Sequence, residues 1–343
     1  MWPALISGAL IVGVGQVGRI PVPDRYRSRV EVYYAWAAHL ARTEARRADV
    51  VIMGNSRVMV GIRGRELSRD LKLPGLHGVR PTVVSLGVPA GMPVSSRCLW
   101  RHMSAARQLQ AKLLVVGIAP IDLIDESPGR DYAVQYLLGV SDALLLAREG
   151  RLRDAAAILT YRAFPLYARR QSVHDFFARR EFRELIPRHK DEARGILNTY
   201  FEWYQGYDVS PLQARVLEEL ILEVRARGVR VVMVAMPIGP ALLDLAMGGR
   251  PPPGLDMRLA RPARALRDRT KTPLDVFDSA IARVVQDTDV TYFDYLTPQE
   301  VARFDYIDPS HLTPAASVQF TRELAQRINR ELAESSAARP ESP

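Results

Sequence analysis

The chain of 343 residues has a single cysteine, Cys98, so no disulfide forms within it and its redox compartment stays open. It lacks zinc-ligand spacing, the glycine-rich loop that binds phosphates, and the aromatic signature of RNA-binding domains. It has no internal repeat. Cys98 itself lies in a helical pattern, which favours a small core residue over a nucleophile.

Acidic residues are fewer than basic ones. Asp and Glu number 38 against 47 Lys and Arg, which gives a formal charge of +9 and a pI near 9.8. Such a balance favours acidic partners: phospholipid head groups, anionic polymers or nucleic acid. Because no nucleic-acid-binding motif is present, we expect an anionic polymer or a membrane surface and no nucleic acid.

The first residues, Met1 to Gly18, carry no charge and are just long enough for a membrane span. No basic segment precedes them, so they make a poor secretory signal peptide. Four glycines and Gln16 weaken the span, and a buried or disordered N-terminus is the alternative. We predict a membrane anchor over residues 1–18. The downstream arginines would prefer the cytoplasmic side of the membrane: Arg19, Arg25, Arg27 and Arg29.

Short apolar runs that end at glycine or proline alternate with helical patterns along the chain, which is typical of buried parallel strands. The fold class predicted is therefore α/β, with a five-stranded parallel sheet covered on both faces by helices. The five predicted strands are Asp49–Met53, Thr82–Gly87, Lys112–Ile118, Val229–Ala235 and Val290–Asp294.

More than a hundred residues separate the third and fourth strands, whereas connections in such folds are normally short. We predict an α/β domain over residues 30–334, interrupted by a helical insertion at 126–207 that is rich in aromatic and basic residues. The insertion leaves and returns at the carboxyl edge of the sheet, so we expect it to cover or flank that edge.

The ends of this domain carry helical patterns. A first helix is predicted from about Val30 to Arg47, with Trp36 on its apolar face. The last helix begins clearly, since Thr313 suits an N-cap and Pro314 suits the first turn, and it runs to about Glu334. Residues 335–343 are predicted to be a disordered tail.

A serine follows the first strand, in Gly54-Asn55-Ser56. Ligands of open parallel sheets bind beyond the carboxyl ends of the strands, and Ser56 falls at that edge. At the start of the next helix, free backbone N–H groups favour a developing oxyanion. Ser56 is therefore either a nucleophile or simply the cap of that helix.

A histidine and a carboxylate, Asp308 and His311, lie between the fifth strand and the last helix, at the same predicted edge. In a helical turn this spacing points both side chains the same way. A histidine activates serine by taking its proton, and a carboxylate holds the imidazole ring in the required tautomer. The alternative is a polar turn in which Asp308 only caps the backbone.

These blocks resemble the SGNH/GDSL hydrolase superfamily. Ser56 matches the block-one serine, and the segment Ser85 to Gly91 matches block two, with Ala90 or Gly91 where the family has its oxyanion-hole glycine. Asp308 and His311 match the last block. The resemblance implies a flavodoxin-like sandwich with a Ser-His-Asp site, in which the backbone N–H groups of Ser56 and of Ala90 or Gly91 bind the oxyanion.

Block three departs from the family pattern. Where the family often has Gly-x-Asn-Asp, this chain has Ala119-Pro120-Ile121-Asp122, and the Ile121 side chain cannot donate a hydrogen bond. Arg57, directly after the serine, either supplies the missing donor or is a solvated helix-face residue. Asp122 either lines the site, as Asn55 does, or caps the following turn.

The same features resemble a membrane-tethered branch of the superfamily, akin to bacterial proteins that O-acetylate alginate or help to D-alanylate teichoic acid. This resemblance implies a serine esterase or O-acyltransferase acting on a cell-surface glycan or another acylated substrate. It implies no metal or organic cofactor, an acyl donor from a membrane partner, and a periplasmic or extracellular location, with a cytoplasmic one as the alternative. The alternative function is a catalytically weak or inactive binding or assembly protein on the same fold.

Overall fold

The structure is a computed structural model that describes residues 29–76, 78–105, 109–124, 128–148, 150–164, 189–205, 207–249 and 270–337. The chain separates into two compact units. The larger comprises Leu40–Ser127 and Pro187–Pro343, and the smaller comprises Met1–His39 and Pro128–Ile186.

A five-stranded, all-parallel sheet forms the centre of the larger unit, in the order β2-β1-β3-β4-β5. This confirms the predicted α/β class, and the strand order is consistent with a flavodoxin-like fold. Each strand lies within one of the five predicted apolar runs. The strands are β1 (Val50–Met53), β2 (Val83–Ser85), β3 (Leu113–Ile118), β4 (Arg230–Ala235) and β5 (Thr291–Phe293).

Burial on both faces explains why the central strands have continuous apolar sequences. Strands β1 and β3 are buried at every position, whereas the edge strands β2 and β5 are only partly buried. One face packs against α2 (Ser56–Gly61), α3 (Gly64–Asp70) and α13 (Pro314–Ala337). The other is associated with a layer that includes α4 (Pro93–Ser104), α9 (Pro211–Arg225) and α11 (Pro273–Thr288). Cys98 is a buried residue of α4, as predicted.

Further elements complete the larger unit. The first helix, α1 (Arg29–Arg42), begins in the smaller unit and is followed by a 3-10 turn at Ala45–Arg47. Other helical segments lie at Pro120–Leu123 (a 3-10 turn), α8 (His189–Tyr204), α10 (Pro240–Ala246) and α12 (Pro298–Val301). An antiparallel hairpin joins β6 (Tyr306–Asp308) to β7 (His311–Leu312).

The described part of the smaller unit is helical, with α5 (Pro128–Tyr136), α6 (Val140–Arg148) and α7 (Leu152–Ala163). Tyr34 of α1 is fully buried against Tyr132 and Tyr136, with ring centroids 6.0 and 5.8 Å apart. Trp36 was predicted on the apolar face of α1, and this is wrong: it is 51% exposed, because the buried face is the one that carries Tyr34 and Ala37.

The segment predicted as one insertion, 126–207, divides differently. Helices α5 to α7 belong to the smaller unit, but α8 belongs to the larger one, with the sheet. The stretch 165–188, which holds most of the predicted aromatic and basic residues, lies outside the described residues. The expectation that the insertion covers the catalytic edge therefore stays a prediction.

The last helix begins as predicted, because the Thr313 hydroxyl accepts from the Ala316 N–H at 3.2 Å. It continues to Ala337, so residues 335–337 are helical and not part of a disordered tail. Residues 338–343 are outside the described part. The predicted anchor, residues 1–18, also lies outside it. Within the described ranges, no helix has both the length and the apolar character that a bilayer span requires.

Gly54 is the tightest point of the turn that leads from β1 to Ser56. Its φ is +147°, and a Cβ atom there would lie 2.5 Å from the Gly117 carbonyl oxygen and 2.5 Å from a Val58 methyl group. We expect Gly54→Ala to lower the free energy of unfolding by about 2–5 kcal/mol, since strain and overpacking add.

Gly195→Ala is the matched control, because Gly195 lies in helix α8 with nothing within 4 Å of the added Cβ. It should stabilise the protein by about 0.5–1 kcal/mol. Urea unfolding of both variants measures the difference. Equal stability of the two variants would show that the turn tolerates a side chain.

Candidate active site

The turn after β1 and the N-cap of helix α2 fix the position of Ser56. Strand β1 ends at Met53, and Asn55 caps α2, its side-chain carbonyl accepting from the Arg57 N–H at 2.8 Å. Ser56 is then the first residue of the helix and is half-buried. Asn55, and not Ser56, is the cap, so the interpretation of Ser56 as a capping residue is wrong and its hydroxyl is left for another partner.

The hairpin β6–β7 places the acid and the base. Asp308 pairs with His311 across the hairpin, and its carboxylate accepts from the backbone N–H groups of Ser310 (2.7 Å) and His311 (3.0 Å). The prediction of a helical turn here is wrong. A tight hairpin turn nevertheless brings the two side chains together, because paired residues across antiparallel strands project from the same face.

Ser56, His311 and Asp308 form a continuous hydrogen-bonded chain. The Ser56 Oγ lies 2.9 Å from His311 Nε2, and His311 Nδ1 lies 2.8 and 3.0 Å from the two Asp308 oxygens. With Nδ1–H donating to the carboxylate, Nε2 is the acceptor for the serine proton. Residues that are more than 250 positions apart in sequence thus meet at the carboxyl edge of the sheet.

The surroundings of Asp308 keep it ionised. Its partial burial alone would raise the pKa of the carboxyl, but the hydrogen bonds from the His311 ring and from the two backbone N–H groups outweigh burial, and the pKa is lowered. A carboxylate that stays charged can support an imidazolium as it forms.

The block-two loop lies against the turn that carries Ser56. The Val88 N–H donates to the Gly54 carbonyl at 3.0 Å, and a Cβ atom on Gly91 would lie 2.5 Å from the same oxygen. The Gly91 N–H donates to Val88 O at 3.0 Å, so Gly91, although predicted as a donor to the oxyanion, already has an acceptor.

Ala90 has a left-handed backbone, with φ of +51°, which is uncommon for a residue other than glycine. Among the described residues, neither the Ala90 N–H nor the Ser56 N–H has a hydrogen-bond acceptor. Of the predicted backbone donors, these two are the ones that remain available for an oxyanion.

Asp122 caps its own turn and not the following one, and its described link to the site runs through Asn55. It is buried, accepts from the Ala119 N–H at 2.8 Å within its own turn, and accepts from the Asn55 side-chain amide at 2.6 and 2.7 Å. This fixes the amide of Asn55 with its oxygen toward the Arg57 N–H. Asp122 therefore orients the cap of the helix that begins with Ser56.

Burial raises the pKa of Asp122 to about 6, against its ordinary 3.8, although Arg57, Asn55 and Ala119 act to lower it. The folded state thus binds the proton more tightly than the unfolded state. The stability that this provides is fully present below pH 3.8 and is lost as the pH rises through about 6.

We therefore expect wild-type stability, compared with Asp122→Asn, to fall by about 1–3 kcal/mol across that interval. Denaturant unfolding at a series of pH values measures the difference. Parallel stability curves for the two proteins would contradict the raised pKa.

Arg57 is not a solvated helix-face residue, so that alternative is wrong. It is 4% exposed, its guanidinium donates to the Tyr200 hydroxyl, and its Cζ lies 5.4 Å from the centre of the Tyr200 ring. Burial alone would lower the pKa of Arg57, but Tyr200 and Asp122 outweigh it and the pKa is raised. The Nε atom of Arg57 is buried without a hydrogen-bond partner among the described residues.

Helix α8 brings residues to the site that the sequence pattern did not single out. The Tyr207 hydroxyl, just after α8, donates to Pro120 O at 2.8 Å, and the Ser210 N–H donates to Leu123 O at 2.7 Å. These bonds hold the segment that follows α8 on the block-three turn. Ser310 Oγ donates to the Tyr200 hydroxyl at 3.4 Å. The only available signal was the aromatic content of the predicted insertion.

Comparison with known proteins adds no family. No protein-family model matches the sequence, and no curated protein is significantly similar to it.

Within the described ranges, no group of three or more His, Cys, Asp or Glu side chains is placed to hold a metal ion.

Proposed function

We propose that this protein is a serine-dependent acyl-ester enzyme of the SGNH type, either a hydrolase or an O-acyltransferase. One observation carries the proposal: Ser56 Oγ lies 2.9 Å from His311 Nε2, whose ring is held by Asp308. An isolated polar turn has no need of a base directed at a serine hydroxyl. A nucleophile, a base and an orienting acid within hydrogen-bond reach are the parts that acyl transfer requires.

In the first half-reaction, the Ser56 oxygen forms a bond to the ester carbonyl carbon while its proton moves to His311 Nε2. The carbonyl π pair moves onto oxygen, where the Ser56 and Ala90 N–H groups are free to bind it. The tetrahedral intermediate then collapses. The ester C–O bond breaks, and the leaving alkoxide takes the proton from His311, which yields an alcohol and an acyl-enzyme.

In the second half-reaction, a water molecule or an acceptor hydroxyl gives its proton to His311 and forms a bond to the acyl carbon. The second tetrahedral intermediate collapses as the bond between that carbon and Ser56 Oγ breaks, and the serine oxygen takes the proton back from His311. Water yields a free acid, and a hydroxyl of a glycan yields a new ester. The two outcomes differ only in which acceptor occupies the site and whether water is excluded. Neither half-reaction calls for a metal or an organic cofactor.

The proposed substrate is an acylated cell-surface glycan. The net charge of +9 favours an anionic polymer or membrane surface. The uncharged segment Met1–Gly18 favours a protein anchored at the membrane. The resemblance, and not this segment, is the basis for placing the site toward the periplasm or exterior with a membrane partner as acyl donor, because the arginines after the segment favour the cytoplasmic side. These features also support the resemblance to the alginate and teichoic acid acylation proteins.

A second candidate is a binding or assembly protein on the same fold. The observation in its favour is Ile121, which is 5% exposed and offers no side-chain donor where the related enzymes carry Asn. Such a protein would bind an acylated glycan without turning it over.

Hydrolysis of p-nitrophenyl acetate by the wild type and by Ser56→Ala tests the proposal. We expect turnover that depends on Ser56. Adding a glycan acceptor then separates the two chemistries: a transferase moves acetyl onto the glycan at the expense of free acetate, and a hydrolase does not. A wild-type rate equal to that of Ser56→Ala would favour the binding protein.

A further inference from the structure

The oxyanion site lacks a side-chain donor from block three. Ile121 is buried at that position, and the Gly91 N–H is already bonded within its own loop. Two backbone N–H groups, of Ser56 and Ala90, remain. Loss of one donor typically costs about 100- to 1,000-fold in rate. An enzyme with this loop therefore needs another group near Ser56 to approach the rates of its relatives.

The segment just after helix α8 is held on the turn where that donor is missing, by the Tyr207 hydroxyl on Pro120 O and by the Ser210 N–H on Leu123 O. One turn before the end of α8, Tyr200 is half-buried, so part of the residue is open to solvent. The fold thus brings a phenol to the region that the block-three side chain serves in related enzymes.

The Tyr200 hydroxyl is bonded to a neighbour of the nucleophile and to a neighbour of the base. It accepts a hydrogen bond from the guanidinium of Arg57, the residue after Ser56. It also accepts from the Oγ atom of Ser310, the residue before His311, at 3.4 Å. A phenol oxygen has two acceptor sites and one proton. Both bonds use the oxygen as acceptor, so among the described residues no acceptor takes its O–H, which is left to donate.

Arg57 makes this O–H a stronger donor. The guanidinium is buried and, among the described residues, has no carboxylate in direct salt-bridge contact, although the nearby Asp122 carboxylate acts on it electrostatically. A buried guanidinium that is hydrogen-bonded to the phenol oxygen favours negative charge on the far side of that hydroxyl. Bonded to the phenol oxygen, it withdraws electron density from the O–H and stabilises an anion that accepts from it.

We propose that Tyr200 is a catalytic hydrogen-bond donor to the oxyanion, in place of the missing block-three side chain, and that Arg57 is a positioning residue that acts through it. The inference rests on the proposed acyl transfer at Ser56. Tyr200 keeps its proton throughout the reaction and donates a hydrogen bond to the oxygen that receives the carbonyl π pair. The proton that is transferred is carried by His311.

The test compares Tyr200→Phe with Tyr204→Phe. Both changes remove one hydroxyl from α8, but the Tyr204 hydroxyl is buried without a hydrogen-bond partner among the described residues, so it serves as a matched control. The full chain is assayed for kcat and KM with p-nitrophenyl acetate. Inhibition by phenylboronic acid is measured as well, because its tetrahedral adduct with serine resembles the intermediate.

We expect Tyr200→Phe to lower kcat by about 100-fold or more, with KM little changed. Phenylboronic acid should bind this variant more weakly by a similar factor, whereas Tyr204→Phe should keep wild-type values. If Tyr200 has a purely structural role, holding α8 in place, Tyr200→Phe should instead lower the melting temperature. In that case kcat and boronate binding should not distinguish Tyr200→Phe from Tyr204→Phe.

Two results would overturn the inference. One is a kcat for Tyr200→Phe within about threefold of the wild type, which is too small for a lost oxyanion donor. The other is a reduced kcat with unchanged boronate inhibition, which would place the hydroxyl away from the oxyanion. If the wild type is no faster than Ser56→Ala, the proposed function fails and this inference fails with it. If activity depends on Ser56 but is unchanged in Tyr200→Phe, only the role of Tyr200 is ruled out and the proposed function stands.

Discussion

Replacing Ser56 or His311 with Ala should lower kcat for a short aryl ester by on the order of 10⁴-fold or more. The reason is that each change removes one end of the 2.9 Å hydrogen bond through which the serine proton leaves. The double variant should be little worse than either single one, since residues that act as a unit are strongly non-additive. Steady-state kinetics on the three variants measures this.

Ser279→Ala is the matched control, because Ser279 is an exposed serine of α11 whose hydroxyl donates to Asp275 O of the same helix. It should retain wild-type turnover. An unchanged rate in Ser56→Ala would rule out Ser56 as the nucleophile. Additive losses in the double variant would show that the two residues do not act in the same step.

Asp308→Asn should lower kcat by about 10³- to 10⁴-fold. The Asp308 carboxylate accepts from His311 Nδ1 at 2.8 Å, which fixes the tautomer that leaves Nε2 free to take the serine proton. An amide can instead donate to Nδ1, which favours the opposite tautomer and places a proton on Nε2. The loss should therefore fall on kcat, and the protein should keep its fold.

Asp305→Asn provides the comparison, since Asp305 is exposed and lies three residues earlier in the same segment. Its kcat should match that of the wild type. Melting temperatures of both variants check the fold, because Asp308 also accepts two backbone N–H groups of the hairpin. A loss of less than about tenfold in Asp308→Asn would show that His311 does not depend on this carboxylate for its tautomer.

The sheet could be predicted from the sequence because each strand is marked by a short, local run of apolar residues. Strands β1 and β3 are buried at all positions, so their apolar runs are unbroken and end where the chain turns. Ser56 and His311 could be paired for the same reason. Both follow strands of one parallel sheet, and the carboxyl ends of those strands share an edge.

Other features depended on packing that no local pattern encodes. The Asp308–His311 spacing fits a helical turn and a tight hairpin equally well, and pairing with β6 decided between them. Arg57 is charged and follows a helix start, which is typical of a solvated residue, yet α8 covers it with Tyr200. That contact spans 143 positions in sequence.

The most direct test of the account is labelling with a fluorophosphonate probe, followed by mass spectrometry to locate the modified residue. The probe reacts covalently with an activated serine and needs no knowledge of the natural substrate. We predict that the full chain is labelled at Ser56, that Ser56→Ala is not labelled, and that His311→Ala is labelled far more slowly. A wild-type chain that stays unlabelled, or is labelled at another serine, would contradict the central claim that Ser56 is an activated nucleophile.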